Sequence, residues 1–113
     1  MKTWTLQFRQ VDKDNFEEVR SGVKEVETRA ATVRYEPVQE GDSIRFVCGQ
    51  ESFTKHVTKK HHFKSIDAMI KKIPFKRIMP DVNSIVEMKK RYASYPGYEG
   101  KIKKHGLFAF ELK

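Results

Sequence analysis

Residues 105–113 read HGLFAFELK. In an extended chain Leu107 and Ala109 fall on one side and Phe108 and Phe110 on the other. Apolar side chains on both faces are what a strand carries when it is covered above and below, so the segment is predicted to be a buried central strand. Such a strand needs partners on both flanks and a layer on each face, and the remaining sequence has to supply them.

Working outward, TWTLQF (3–8) alternates, with Trp4, Leu6 and Phe8 on one face of a half-buried strand. Phe16, Val19 and Val23 recur at helical spacing behind the acids Asp12 and Asp14, and Gly22 ends that helix. VKEVETRAATV (23–33) is strand-like, and Gly41-Asp42 turns the chain into a strand with Ile44 and Phe46 inward. FTKHVTKKHHF (53–63) places Phe53 and Val57 on one side, and its charges and histidines suggest an edge or surface strand. Ser65 caps a helix carrying Ile66, Met69, Ile70 and Ile73, limited by Pro74. Pro80 stops the short turn around Phe75 and Ile78. Ser84 and Glu87 form a capping box before Ile85, Met88, Tyr92 and Tyr95, and Pro96-Gly97 closes that helix. The order is strand, helix, three strands, two helices and a last strand. It predicts an α+β fold whose sheet, of about five to six strands, curls into a small, largely closed barrel that protects its edges.

At 113 residues the chain is expected to form a single domain, 1–113, with no linker, repeat or low-complexity tract. Its 23 Lys+Arg against 15 Asp+Glu leave a net charge of +8, which favours polyanionic partners: RNA, DNA or an anionic surface. One cysteine, Cys48, excludes an internal disulfide and a cysteine-based zinc site, and points to a reducing compartment. No apolar run approaches the roughly 18 residues of a spanning helix, and the N-terminus lacks the apolar core of a signal peptide. A soluble, cytoplasmic protein without a membrane partner is expected, and no obligate protein partner is inferred. His56, His61, His62 and His105 lack metal-ligand spacing, so no metal is expected, and no motif indicates a cofactor.

Four charged residues, Lys24, Glu25, Glu27 and Arg29, crowd into GVKEVETR, residues 22–29. Alternation in an extended strand puts Glu25, Glu27 and Arg29 on one face and Val26 and Thr28 on the other. A carboxylate beside a guanidinium leaves Arg29 oriented for a phosphate or carbonyl, and Glu27 able to accept from a base's exocyclic amine. Lys24 joins them only if the strand begins after it, the favoured reading, or if Gly22 or a bulge re-aims it. The bland reading of the same residues is an ordinary surface strand whose charges keep an edge soluble.

This segment resembles the G-x-K-x-x-E-x-R signature of the ASCH domain, a small barrel related to RNA-binding PUA domains. QEGDSIRF (39–46), HHFKSIDAMI (61–70) and KKHGLFAFEL (103–112) are similar to further family segments in the same order. The resemblance implies a PUA-like mixed barrel with an N-terminal helix and two helices before the last strand. It also implies a cleft on Lys24, Glu27 and Arg29 that binds RNA or a modified nucleoside. Lys59, Lys60 and Lys64, with Lys55, Lys71, Lys72, Lys76 and Arg77, offer a phosphate track, and Tyr35, His61 or His62 a stacking ring. For any single lysine, plain solvation of the surface is the competing reading.

The alternative implied by the resemblance is an amidohydrolase that deacetylates N4-acetylcytidine. In such relatives a threonine stands three positions after the lysine, where this chain has Glu27, and an acidic residue precedes the last helix, where it has Asp81. Catalytic candidates are then Lys24, Glu27 and Asp81. Lys24 is a nucleophile only if burial lowers its pKa, which neighbouring carboxylates oppose. Otherwise Lys24 and Arg29 stabilise an oxyanion while Glu27 or Asp81 activates water. A ribonuclease is a third, less favoured reading. Tyr92, Tyr95 and Tyr98 either line a cleft mouth or pack a helix end.

Overall fold

The computed structural model describes residues 1–113. The elements are β1 (Thr3–Phe8), a single 3-10 turn (Gln10–Asp12), α1 (Lys13–Ser21), β2 (Val26–Ala30), β3 (Ser43–Cys48) and β4 (Glu51–Phe63). There follow α2 (Ile66–Lys72), α3 (Phe75–Ile78), α4 (Ile85–Ser94), α5 (Tyr98–His105) and β5 (Leu107–Leu112). The strands form one five-stranded sheet in the order β1-β3-β4-β5-β2, with β1 parallel to β3 and every other pairing antiparallel. The fold is α+β, and its sheet curls into a half-barrel.

β5 occupies the inner position its sequence demands, between β4 and β2. Leu107 and Ala109 pack with Val26 against Met69, Ile73, Met88 and Tyr92 of the helical layer. Phe108 and Phe110 point the opposite way and join Leu6, Ile44, Phe46, Phe16 and Val19 inside the half-barrel. Neither phenylalanine is more than 2% exposed, and burying each contributes about 1.5–3 kcal/mol relative to leaving it in water. The turn into β5 requires Gly106: its φ is +82°, and a Cβ there would lie 2.3 Å from the Phe63 carbonyl oxygen.

Of the two readings its charges allowed, an edge or a surface strand, β4 is the second: it lies inside the sheet with one face in solvent. Glu51–His56 pair with β3 and Val57–Phe63 with β5, with the register shifting between Val57 and Lys59. A bulge at such a point bends a long strand and lets it serve both halves of a curved sheet. The charges mark a solvated face, which alternation produces in an interior strand as readily as in an edge strand.

The helical layer holds the two expected helices as α2 and α4, each capped as the sequence indicates. The Ser65 hydroxyl accepts from the Ala68 N–H (3.1 Å) and the Ser84 hydroxyl from the Glu87 N–H (3.1 Å). The Glu87 carboxylate reaches back to the Asn83 N–H at 2.9 Å. Two further helices are present: α3 over Phe75–Ile78, and α5, which begins directly after the Pro96-Gly97 stop.

The true edges are β1 and β2, each hydrogen-bonded on one side only. The half-barrel is therefore open along a seam between them.

Candidate functional site

The chain enters β2 through a tight exit from α1. Gly22 takes a left-handed conformation (φ +87°) and donates its N–H to the Val19 carbonyl, and the Lys24 N–H returns to the Glu18 carbonyl at 3.0 Å. β2 starts at Val26, so Lys24 is not bound by strand alternation and turns to the same side as Glu27. Its ammonium lies 3.2 Å from Glu27 Oε1, while Arg29 Nη2 lies 3.1 Å from Glu27 Oε2. Val23, expected to extend the apolar stripe of α1, lies past the helix end and is exposed. Glu25 also precedes the strand and departs from the predicted face. It is exposed and pairs with Arg77 at 3.3 Å.

Glu27 and Lys24 are buried, 3% and 5% exposed, and Arg29 is half-buried beside them. Burial pushes the Glu27 carboxyl up, but Lys24 and Arg29 outweigh it and hold the group below the usual carboxylate range. Burial lowers the Arg29 pKa, and Glu27 more than restores it. Of the roughly four acceptor positions of a carboxylate, Lys24, Arg29 and the Thr28 N–H (3.3 Å) take three. Two cations on one anion leave a positive balance and unused donors on Lys24 and Arg29.

These donors face a cavity of about 250 Å³ lying on the seam. The end of β1 contributes Gln7 and Phe8, with Arg9 just after it; β2 contributes Glu27, Thr28 and Arg29, with Lys24 just before it; the helical layer contributes Tyr92, Tyr95 and Tyr98. Arg29 closes the gap between the edge strands, its guanidinium carbon 5.2 Å from the centre of the Phe8 ring. Tyr92 is buried with its hydroxyl on the Thr28 hydroxyl, and Asn15 Nδ2 donates to the Tyr95 hydroxyl at 3.4 Å. Burial raises the pKa of all three tyrosines, so they present neutral phenols to the cavity. The volume lies just below the range of small-molecule sites, which suits one ring system and not a polymer.

Of the sequence-predicted site residues, Lys24, Glu27 and Arg29 come together. Asp81 does not join them: it sits outside the cavity lining, and its carboxylate binds Arg91 at 2.8 Å, a hydrogen bond that holds its pKa down. Lys59, Lys60 and Lys64 also lie away from the cavity. Lys60 donates to the Glu36 carbonyl (2.7 Å) and lies over Phe108, and Lys64 borders a second cleft with Lys89 and Lys103. Arg77 is engaged by Glu25 and Glu111, and His61 by Glu111 at 2.7 Å. Phe8, Gln7 and Asn15 were not anticipated at the site. Phe8 reads as one more apolar residue of β1, and only the seam turns it toward Arg29.

The comparisons concern the fold. No family model and no curated protein matches the chain. Two solved structures share its architecture closely. The crystal structure of hypothetical protein PH0355 superposes with a TM-score of 0.84 over 100% of this chain and 98% of that one, at 26% identity. The solution NMR structure of protein PF0455 from Pyrococcus furiosus gives 0.77 over 98% and 96%, at 24% identity. Both likenesses are of the fold.

Proposed function

We propose that the chain is a single ASCH-type, PUA-like domain of the cytosol that binds RNA or a modified nucleoside, with one base or nucleoside seated in the seam cavity. One observation carries the reading: a Lys24–Glu27–Arg29 cluster, with Lys24 and Glu27 buried and a surplus positive charge, lines a cavity walled by Phe8, Tyr95 and Tyr98. Aromatic walls accept a planar ring regardless of its identity. Lys24 and Arg29 carry donors only, so the edge turned toward them has to present acceptors, such as a ring nitrogen, a carbonyl or a phosphate. Since Glu27 is already engaged, its part is to orient the two cations and not to read an exocyclic amine. No helix is long and apolar enough to cross a membrane.

The second reading, deacetylation of N4-acetylcytidine, gains one observation. Thr28, next to the position where the amidohydrolase pattern has its threonine, directs its hydroxyl to Tyr92 on the cavity wall beside Lys24. Water would add to the acetyl carbonyl against Lys24 and Arg29, and cytidine and acetate would leave. Neither carboxylate that the sequence nominates is a free base: Glu27 is held ionised by two cations, and Asp81 is committed to Arg91 outside the cavity.

Equilibrium dialysis of N4-acetylcytidine against the protein, with chromatography of the same samples, tests both readings. Retention of the intact nucleoside, weakened in Arg29→Lys, is the expected result, because lysine keeps the charge but not the planar fork. Conversion to cytidine that vanishes in Lys24→Ala would establish the amidohydrolase. No retention of N4-acetylcytidine, cytidine or single-stranded RNA would overturn the seam-cavity reading.

A further inference from the structure

The segment joining β2 to β3 is a series of turns that meets the cavity lining through Arg29, which lies over the Tyr35 ring. The Tyr35 N–H donates to the Thr32 carbonyl (3.1 Å) and the Val38 N–H to the Tyr35 carbonyl (3.2 Å). Lys60 bolts the segment from β4, its ammonium on the Glu36 carbonyl at 2.7 Å and its backbone N–H on the Glu40 carboxylate at 3.3 Å. These bonds hold Tyr35 half-buried and leave Arg34 exposed beside it.

A ladder of alternating rings and guanidiniums results. Arg29 lies over Phe8 at 5.2 Å and over Tyr35 at 5.8 Å, and Arg34 lies over the same Tyr35 ring at 5.5 Å. Arg9, Arg20, Arg29, Arg77 and Arg91 each hold a carboxylate; Arg34 and Arg45 hold none, and of these two Arg45 meets the Ser52 hydroxyl on β4 while Arg34 lies on the Tyr35 ring beside Arg29. Two guanidiniums thus share one ring with a single carboxylate, Glu27, between them. An anion at the rim would relieve their repulsion, and stacking on Tyr35 leaves the edge donors of Arg34 free for a bidentate contact.

We propose that Arg34 is the anchor for a phosphate flanking the seated nucleoside, so that the site takes a nucleotide within single-stranded RNA in preference to a free nucleoside. The inference rests on the seam-cavity reading and adds the polymer to it. The cavity has room for one ring system, so the adjoining backbone has to lie across the rim, where the ladder ends in a guanidinium without a counter-ion.

The test compares two probes, a mixed-sequence single-stranded RNA of roughly eight nucleotides and free N4-acetylcytidine, against wild type, Arg34→Ala, Arg34→Lys and the exposed α4 control Lys90→Ala. Arg34→Ala is expected to weaken RNA binding about tenfold and to flatten the slope of log K against log salt by about 0.7, with nucleoside affinity unchanged. Arg34→Lys should recover the salt slope but not the full affinity, because an ammonium keeps the charge and loses the planar fork. Equal losses of RNA affinity in Arg34→Ala and Lys90→Ala would overturn the proposal in favour of diffuse electrostatics. Parallel loss of nucleoside affinity in Arg34→Ala would overturn it by showing that Arg34 shapes the cavity. Wild type that binds the nucleoside but not RNA would overturn it and leave the seam-cavity reading standing, whereas binding of neither probe would remove both.

Discussion

The seam cavity and the ribbon of β4 are built from the same residue types, lysine, arginine or histidine and aromatic rings, yet the charges do different things in each. In the seam, Lys24 and Arg29 are withdrawn from water around Glu27, and the three are held at 3.2 and 3.1 Å. On β4 the residues are spent singly: Lys59 is exposed, Lys60 fastens a backbone carbonyl, and His61 meets Glu111. Charge density along the chain is therefore a poor guide to a site. What separates the regions is desolvation, which makes each ion depend on its partners in the seam and leaves it nearly independent on the ribbon.

The sharpest way to break this contrast is Glu27→Gln, which leaves the buried Lys24 and the half-buried Arg29 without their anion. A loss of about 3–5 kcal/mol in denaturant unfolding is expected; a loss no larger than that of a surface substitution would mean that the cluster is solvated after all. The pH dependence carries the same information. Because the folded-state pKa of Glu27 is depressed, its contribution is fully present above the ordinary glutamate value of about 4.3 and is lost as pH falls through the folded-state pKa. The stability gap between wild type and Glu27→Gln should accordingly narrow in acid.

A smaller effect sharpens the comparison at the cavity wall. Tyr92→Phe leaves the buried Thr28 hydroxyl without its partner and is expected to cost about 1–3 kcal/mol. Combining it with Thr28→Val should cost less than the sum of the two single changes, as coupled neighbours do; additive losses would show that the two hydroxyls do not depend on each other. At the far end of the scale, Lys59→Ala on the ribbon should move stability by no more than about 0.5 kcal/mol. A larger loss there would erase the distinction between the two regions.

Some of this was legible in the chain. Two-faced apolar alternation in Leu107–Phe110 placed β5 inside the sheet, since burial on both faces leaves a periodicity that nothing else on the chain imitates. Gly22 and the two-residue period of β2 sufficed to bring Glu27 and Arg29 together and to admit Lys24. The same period failed at Glu25, because alternation holds only within the strand and the strand begins one residue later. Asp81 was misplaced for a related reason: a position ahead of a helix cap says nothing about which arginine lies near, and Arg91 on the next turns of α4 captured it.

By itself the sequence determined the α+β order, the two-sided core strand, the helix caps and the Lys24–Glu27–Arg29 cluster, all of which rest on contacts between residues close in the chain or on periodicity. Only the tertiary structure decided that the barrel stays open between β1 and β2, that Phe8 and the three tyrosines wall the gap, and that Arg34 and Arg29 lie over the same Tyr35 ring. Those features join segments far apart in the chain. Their geometry is set by how a twisted sheet closes on itself, and no local pattern of residues encodes that.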